Sequence, residues 1–155
     1  MEPKIETPTK AEKDKRFVDQ GDDTILDIRT RLVWLKRDTW QITGKWMNWV
    51  QSKEYADNLN KLKFAGACNW RLPTSNEAKT LFDRSLKNKD HWGQAAFIPS
   101  VFPNGFGFLC WTSDVRNKIQ GVRFGLRKGN TMYDDIYRVS RGATRIMRDL
   151  DQEDE

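Results

Sequence analysis

The sequence predicts an α+β domain, with two helices packed on an antiparallel sheet and long irregular loops between them. Three observations carry this expectation. Asn48-Trp49-Val50-Gln51 and Thr74-Ser75-Asn76-Glu77 are capping boxes, in which the first side chain accepts from a backbone amide three residues on and the glutamine or glutamate reaches back. Val122, Phe124 and Leu126 alternate with Arg123, Gly125 and Arg127, the period of two of a strand with one covered face. His91 to Gly107 is rich in Pro, Gly, Asn and Phe, which suits a long loop held by aromatic anchors.

Residues 1–16 hold two prolines, many lysines and glutamates, and only Ile5 as a sizeable apolar side chain. Such a segment buries too little surface to offset its ordering entropy, so a flexible arm is expected. Phe17-Val18-Asp19, the turn Gln20-Gly21-Asp22-Asp23 and Thr24-Ile25-Leu26 predict a β-hairpin. A turn at Asp27-Ile28-Arg29-Thr30 then leads into the short strand Leu32-Val33-Trp34-Leu35. The first helix is expected from about Trp49 to Leu62, with Tyr55, Ala56 and Leu59 at helical spacing and Gly66 at the exit. Cys68 to Pro73 is too short for a helix and reads as an extended link.

The second helix starts at Thr74, with Ala78, Leu81, Phe82 and Leu86 as its buried stripe. Cys110-Trp111-Thr112-Ser113, the Val122 strand, a turn at Lys128-Gly129-Asn130 and a return strand from Ile136 to Arg141 complete the sheet, apolar inward and arginine outward. The domain is expected to span residues 17–148, followed by an acidic tail over 149–155.

A chain of 155 residues is large enough for one domain with its own core. No apolar run approaches the roughly 20 residues of a membrane helix. Met1 to Arg16 has no apolar stretch after a basic one, which predicts a cytoplasmic protein rather than a secreted one. Lysine and arginine number 27 against 22 acids, and the excess is local. Asp114 to Arg148 holds nine basic residues against three acids, whereas Asp149 to Glu155 holds five acids. This balance favours anionic partners, or a tail that folds back over the basic face.

The residues Phe17-x-Asp19-x-Gly21-Asp22-x-Thr24, Asp27-x-x-Thr30-x-Leu32-x-Trp34, Asn69-Trp70-Arg71-Leu72-Pro73-Thr74, Trp111-Thr112-Ser113 and Arg138-Val139-x-Arg141-Gly142 resemble the Lcl carboxy-terminal domain family over roughly residues 17 to 142. The Trp-Arg-Leu-Pro-Thr element is the most specific part. The resemblance implies a C-type-lectin-like fold, shared with formylglycine-generating enzymes, with two helices on a twisted antiparallel sheet. It also implies a binding module, since the family's named member is an adhesin domain that recognises sulfated polysaccharide. Asp23 and Arg31 stand where the family usually has turn glycines, so those hairpins are expected to differ.

Structural roles are expected for Trp34, Trp49, Trp70, Arg71, Pro73 and Trp111, with Arg71 donating to several carbonyls. Trp40, Trp46 and Trp92 sit in expected loops, where an amphipathic ring can face a sugar or a partner. The binding candidates are Arg123, Arg127, Arg138 and Arg141, whose forks suit carboxylate, sulfate or phosphate, together with Trp92 and Phe106 in the long loop Asp90 to Phe108. A protein partner or larger assembly ranks first, an anionic glycan second and nucleic acid third, because no recognition helix or RNA-binding signature is present.

No catalytic residue, cofactor or metal is expected. His91 is the single histidine and no nucleophile motif surrounds it. Asp19, Asp22, Asp23 and Asp27 read as turn formers rather than calcium ligands, since their spacing is not that of an EF-hand loop. Cys68 and Cys110 read as two buried thiols, with a single bridge as the alternative. A copper-dependent thiol oxidase of the formylglycine-generating type ranks last, because the two cysteines lie on separate elements.

Overall fold

The computed structural model describes residues 15–151. Three small antiparallel sheets carry most of the regular structure. The first joins β1 (Phe17–Asp19), β2 (Thr24–Asp27), β3 (Leu32–Leu35) and β9 (Met147–Asp149) in that order. The second is the two-residue pair β4 (Asn88–Lys89) and β5 (Ala95–Ala96), and the third is β6 (Leu109–Arg116), β7 (Gln120–Gly125) and β8 (Thr131–Asp135). The helices are α1 (Thr39–Thr43), α2 (Trp49–Lys61) and α3 (Ser75–Lys79), with a 3₁₀ turn at Phe64–Gly66.

This arrangement corrects the expected fold. Among the described residues strand outweighs helix, and no single twisted sheet carries two packed helices as a C-type-lectin-like fold would have. Two local causes account for much of the difference. The second helix stops after five residues: Leu81 and Phe82 donate back to Ala78 and Lys79 in tight turns, and the Asp83 amide then bonds the Phe97 carbonyl. The return strand lies at Thr131–Asp135, whereas Ile136 to Arg141 forms a turn. A register shift between Trp111 and Val115 further interrupts the β6–β7 pairing.

The N-terminal hairpin and β3 form where expected, with Phe17 opposite Asp27 and Ile25 opposite Trp34. Asp23 and Arg31 adopt the left-handed backbone that glycine would favour, at φ of 67° and 59°. The turns thus keep a glycine-like geometry without glycine, a conformation to which Asp is better suited than Arg. All four residues of β3 are buried. Leu32 and Trp34 enter a core with Phe17, Phe102, Phe106 and Phe124, whereas Val33 and Leu35 enter a second with Ala56, Leu59, Trp70 and Trp111. A continuous apolar run is what a strand covered on both faces requires.

The helix starts follow from their caps. Asn48 and Thr74 accept from the amides of Gln51 and Glu77 at 2.7 and 3.1 Å, and Gln51 and Glu77 reach back. A third capping box, Asp38 with Gln41, starts α1. Helix α2 ends at Lys61, followed by left-handed Lys63 and Ala65 before Gly66. Trp70 is held by Asn60, and its indole N–H donates to the Phe64 carbonyl at 2.9 Å. Arg71 grips carboxylates more than carbonyls: Glu77 at 2.7 and 2.8 Å and Asp149 at 3.2 Å, with one bond to the Leu72 carbonyl. The bidentate Glu77 pair holds the Arg71 guanidinium above its ordinary pKa and Glu77 below its own. Pro73 is buried, and its carbonyl accepts from the Ser113 amide at 2.7 Å.

Most of the expected arm lies outside the described residues, as do residues 152–155 of the acidic tail. Within the described part, Asp149 belongs to β9 and Asp151 pairs with Arg31 at 2.8 Å. No helix of the described residues is long and apolar enough to cross a membrane.

Candidate functional site

The long loop after β4 and the turn after β8 meet in a cluster of aromatic rings and guanidinium groups. Asp90 closes the base of the loop: its carboxylate is buried and accepts from the amides of Trp92 and Gln94 at 2.9 and 3.0 Å. Arg127 donates to the other Asp90 oxygen at 2.6 Å and lies 3.8 Å above the Phe108 ring. His91 stacks on Phe108, with centroids 5.9 Å apart and planes at 8°, and meets the edge of Trp46. Trp40 and Trp46 stack on each other at 3.9 Å.

Arg141 completes the outer surface. It is exposed, left-handed at φ 54°, and its guanidinium lies 5.7 Å from the Trp92 ring and 5.8 Å from Phe108. Trp92 is 67% exposed, and Tyr137 and Val139, four and two residues before Arg141, are 68% and 44% exposed. Arg138 is exposed beside them and pairs with Asp134 at 2.5 Å.

The expected rows of outward arginines do not form. Arg123 is 2% exposed, because both faces of β7 are covered. Its guanidinium lies 3.8 Å from the Trp111 ring and donates to the Ser140 carbonyl at 3.1 Å and the Arg138 carbonyl at 3.4 Å. Burial lowers its pKa to about 10, and Asp134 opposes that shift. Arg123 is therefore a strut beneath the Arg138–Arg141 turn, and Arg127 lies past the end of β7 as the Asp90 partner. Phe106 is wholly buried in the core, whereas Phe108 packs under the guanidinium groups.

The remaining candidates are spread through the scaffold. Trp34 and Trp111 are wholly buried, and the Trp111 and Trp49 indoles donate to the carbonyls of Met47 and Thr112 at 3.0 and 2.8 Å. Both cysteines are free. Cys110 is buried and Cys68 is exposed, so a bridge is absent and one of the two thiols expected in the core lies outside it. The four aspartates of the first turns serve backbone and cationic partners: Asp27 accepts from Arg16, Arg29 and Thr30, Asp19 from Gly21 and Lys36, Asp22 from Thr24, and Asp23 from Arg37. Among the described residues no three His, Cys, Asp or Glu side chains group as a metal site.

The His91 imidazole nitrogens are shielded and have no hydrogen-bond partner among the described residues. Burial lowers its pKa, Asp90 opposes the shift, and Arg127 and Arg141 reinforce it. The folded state thus binds the proton less readily than the unfolded chain, whose histidine titrates near 6.5. The contribution is fully present above about pH 6.5 and is lost as pH falls through the lower folded value. Urea unfolding of the wild type between pH 7 and 5 is expected to show a stability loss that His91→Phe removes. Parallel pH profiles of the two proteins would contradict this.

The fold and this cluster define a small β-rich domain that presents a loop-borne aromatic and cationic face. The chain belongs to the Lcl C-terminal domain family, whose model matches residues 23–148. No curated protein and no solved structure matches it.

Proposed function

We propose that this domain is a non-catalytic binding module that docks on a protein partner, as an accessory subunit of a larger assembly. The observation that carries this reading is the exposed Trp92 ring beside Arg141, with Tyr137 and Val139 close by in sequence. Trp, Tyr and Arg dominate the energetic centres of protein interfaces. Indole and phenol rings supply large contact area with few torsions to freeze. The backbone beneath is also held in advance: Arg123 grips two carbonyls of the turn, and Asp90 grips two amides of the loop. Preorganisation of this kind lowers the ordering cost of binding.

The placement of the reactive groups supports a non-catalytic role. The His91 nitrogens are shielded, and the Cys110 thiol is buried with its pKa pushed up by desolvation. A buried protonated thiol is a poor nucleophile and metal ligand.

An indole beside a guanidinium also fits a sulfated sugar, through ring stacking and charge-assisted bonds, so an anionic glycan is the second reading. A salt gradient on immobilised heparin separates the two. The protein-partner reading expects elution near physiological salt, about 0.15 M, with only a small shift for Arg138→Glu/Arg141→Glu. Retention far above that concentration, abolished in the double variant, would overturn it in favour of the glycan.

A further inference from the structure

A groove of about 800 Å³ opens between the base of the N-terminal hairpin and the segment that follows α3. It shares no residue with the Trp92–Arg141 face. Phe17, Leu81 and Leu86 form its floor, Phe82 is half-buried in its wall, and Ile28 stands at its lip with 57% of its surface exposed. Arg16 joins the two sides: it pairs with Asp27 and donates to the Thr80 carbonyl at 3.3 Å. Its charge is thereby engaged. Lys15, Arg29 and Lys79 also line the groove, are exposed, and have no ion pair among the described residues. The one lining acid, Asp83, accepts from the amide and hydroxyl of Ser85.

We propose that this groove binds a small ligand with an apolar body and a single carboxylate, the body against Phe17, Leu81 and Phe82 and the carboxylate at Arg29 and Lys79. The volume falls in the range of small-molecule sites, and the lining sets the apolar side chains of Phe17, Ile28, Leu81, Phe82 and Leu86 beside charged and polar groups. Charge selects the head group. Lys15, Arg29 and Lys79 outnumber the one lining acid, so a cationic ligand adds repulsion, whereas a carboxylate offsets the excess and accepts the arginine fork in two parallel bonds.

Dodecanoate is a suitable probe, with dodecan-1-ol and dodecyltrimethylammonium as controls of equal chain length, the two ions kept below their micelle concentrations and the alcohol below its solubility limit. Amide NMR shifts of the full chain are expected to saturate with dodecanoate and to be largest at Phe17, Thr30 and Thr80 to Phe82. Binding should be about tenfold tighter than for either control, the difference that one charge-assisted contact supplies. Arg29→Glu/Lys79→Glu should remove that advantage while leaving the unfolding midpoint and dodecan-1-ol binding unchanged. Equal affinity for all three amphiphiles would overturn the proposal, as would shifts centred elsewhere. Dodecanoate binding that appears only after deletion of residues 1–14 would overturn it too, in favour of a groove covered by the chain's own arm.

Discussion

Asp38→Ala is expected to lower the unfolding free energy by about 3–5 kcal/mol, because it removes a buried carboxylate that accepts from two backbone amides and offsets the buried charge of Arg145 nearby. The Asp38 carboxylate is buried, caps α1 through the Gln41 amide at 2.9 Å, and accepts from the Gly107 amide at 2.7 Å. It therefore ties the start of α1 to the end of the long loop. Burial pushes its pKa up, and the nearby Arg145 charge acts against that. Arg145 is itself buried, donates to the carbonyls of Leu35 and Lys36 at 3.2 and 2.5 Å, and lies 4.6 Å over the Phe102 ring.

Removing the carboxylate strands this guanidinium in the core and leaves two amides without their acceptor. For a chain of this length the loss corresponds to a fall in Tm of roughly 10–15 °C. Asp38→Asn keeps an acceptor for the cap and should cost less, about 1–2 kcal/mol. Urea unfolding of the three proteins at pH 7 measures the series. A loss below about 1 kcal/mol for the alanine variant would show that Arg145 does not depend on this carboxylate.

Gly142→Ala is expected to cost about 3 kcal/mol, at the upper end of overpacking, and to loosen the Arg138–Arg141 turn. A Cβ on residue 142 would stand 1.7 Å from the Met47 carbonyl oxygen and 2.9 Å from the Trp111 indole nitrogen. Neither neighbour yields easily. The Met47 carbonyl already accepts from the Trp111 indole, and the Met47 amide donates to the Gly142 carbonyl at 2.7 Å. The two segments therefore have to separate, breaking the bonds that hold residue 142 next to Arg141. Unfolding free energy and amide exchange at Gly142 and Ala143 report the effect. Arg141→Ala, which removes an exposed side chain from the same turn, should leave both within about 0.5 kcal/mol of wild type.

The local grammar of this chain was legible where a side chain bonds its own backbone. The Asn48–Gln51 and Thr74–Glu77 caps placed two helix starts, and turn residues placed the hairpin from Phe17 to Asp27. The Asp38–Gln41 cap carries the same signal, but its helix is only five residues long and offers no periodic apolar stripe beside it. The second helix reads longer than it is because Leu81, Phe82 and Leu86 keep helical spacing while the chain turns away to pair with Phe97. Short β9 carries no periodic signal of its own, since its partner β3 is remote in sequence.

The site was legible in part. Trp92 and Arg141 stand out by residue type, and both lie on the exposed face. Arg123 was misplaced because alternation assigns it to the solvent side of β7. The fold instead covers that side with Trp111 and the Arg138–Arg141 turn. Gly121, where a Cβ would stand 2.9 Å from the Trp111 ring, is the signal in the same strand that a ring packs on that face.

The recognition face is tested most directly by capture from the native host with tagged wild type, Trp92→Ala/Arg141→Glu and the distant surface change Lys61→Glu. The expected result is a protein retained in stoichiometric amount by wild type and Lys61→Glu and lost with Trp92→Ala/Arg141→Glu, although all three unfold at the same urea concentration. Retention of the same partner, undiminished, by Trp92→Ala/Arg141→Glu would contradict the assignment of binding to this face.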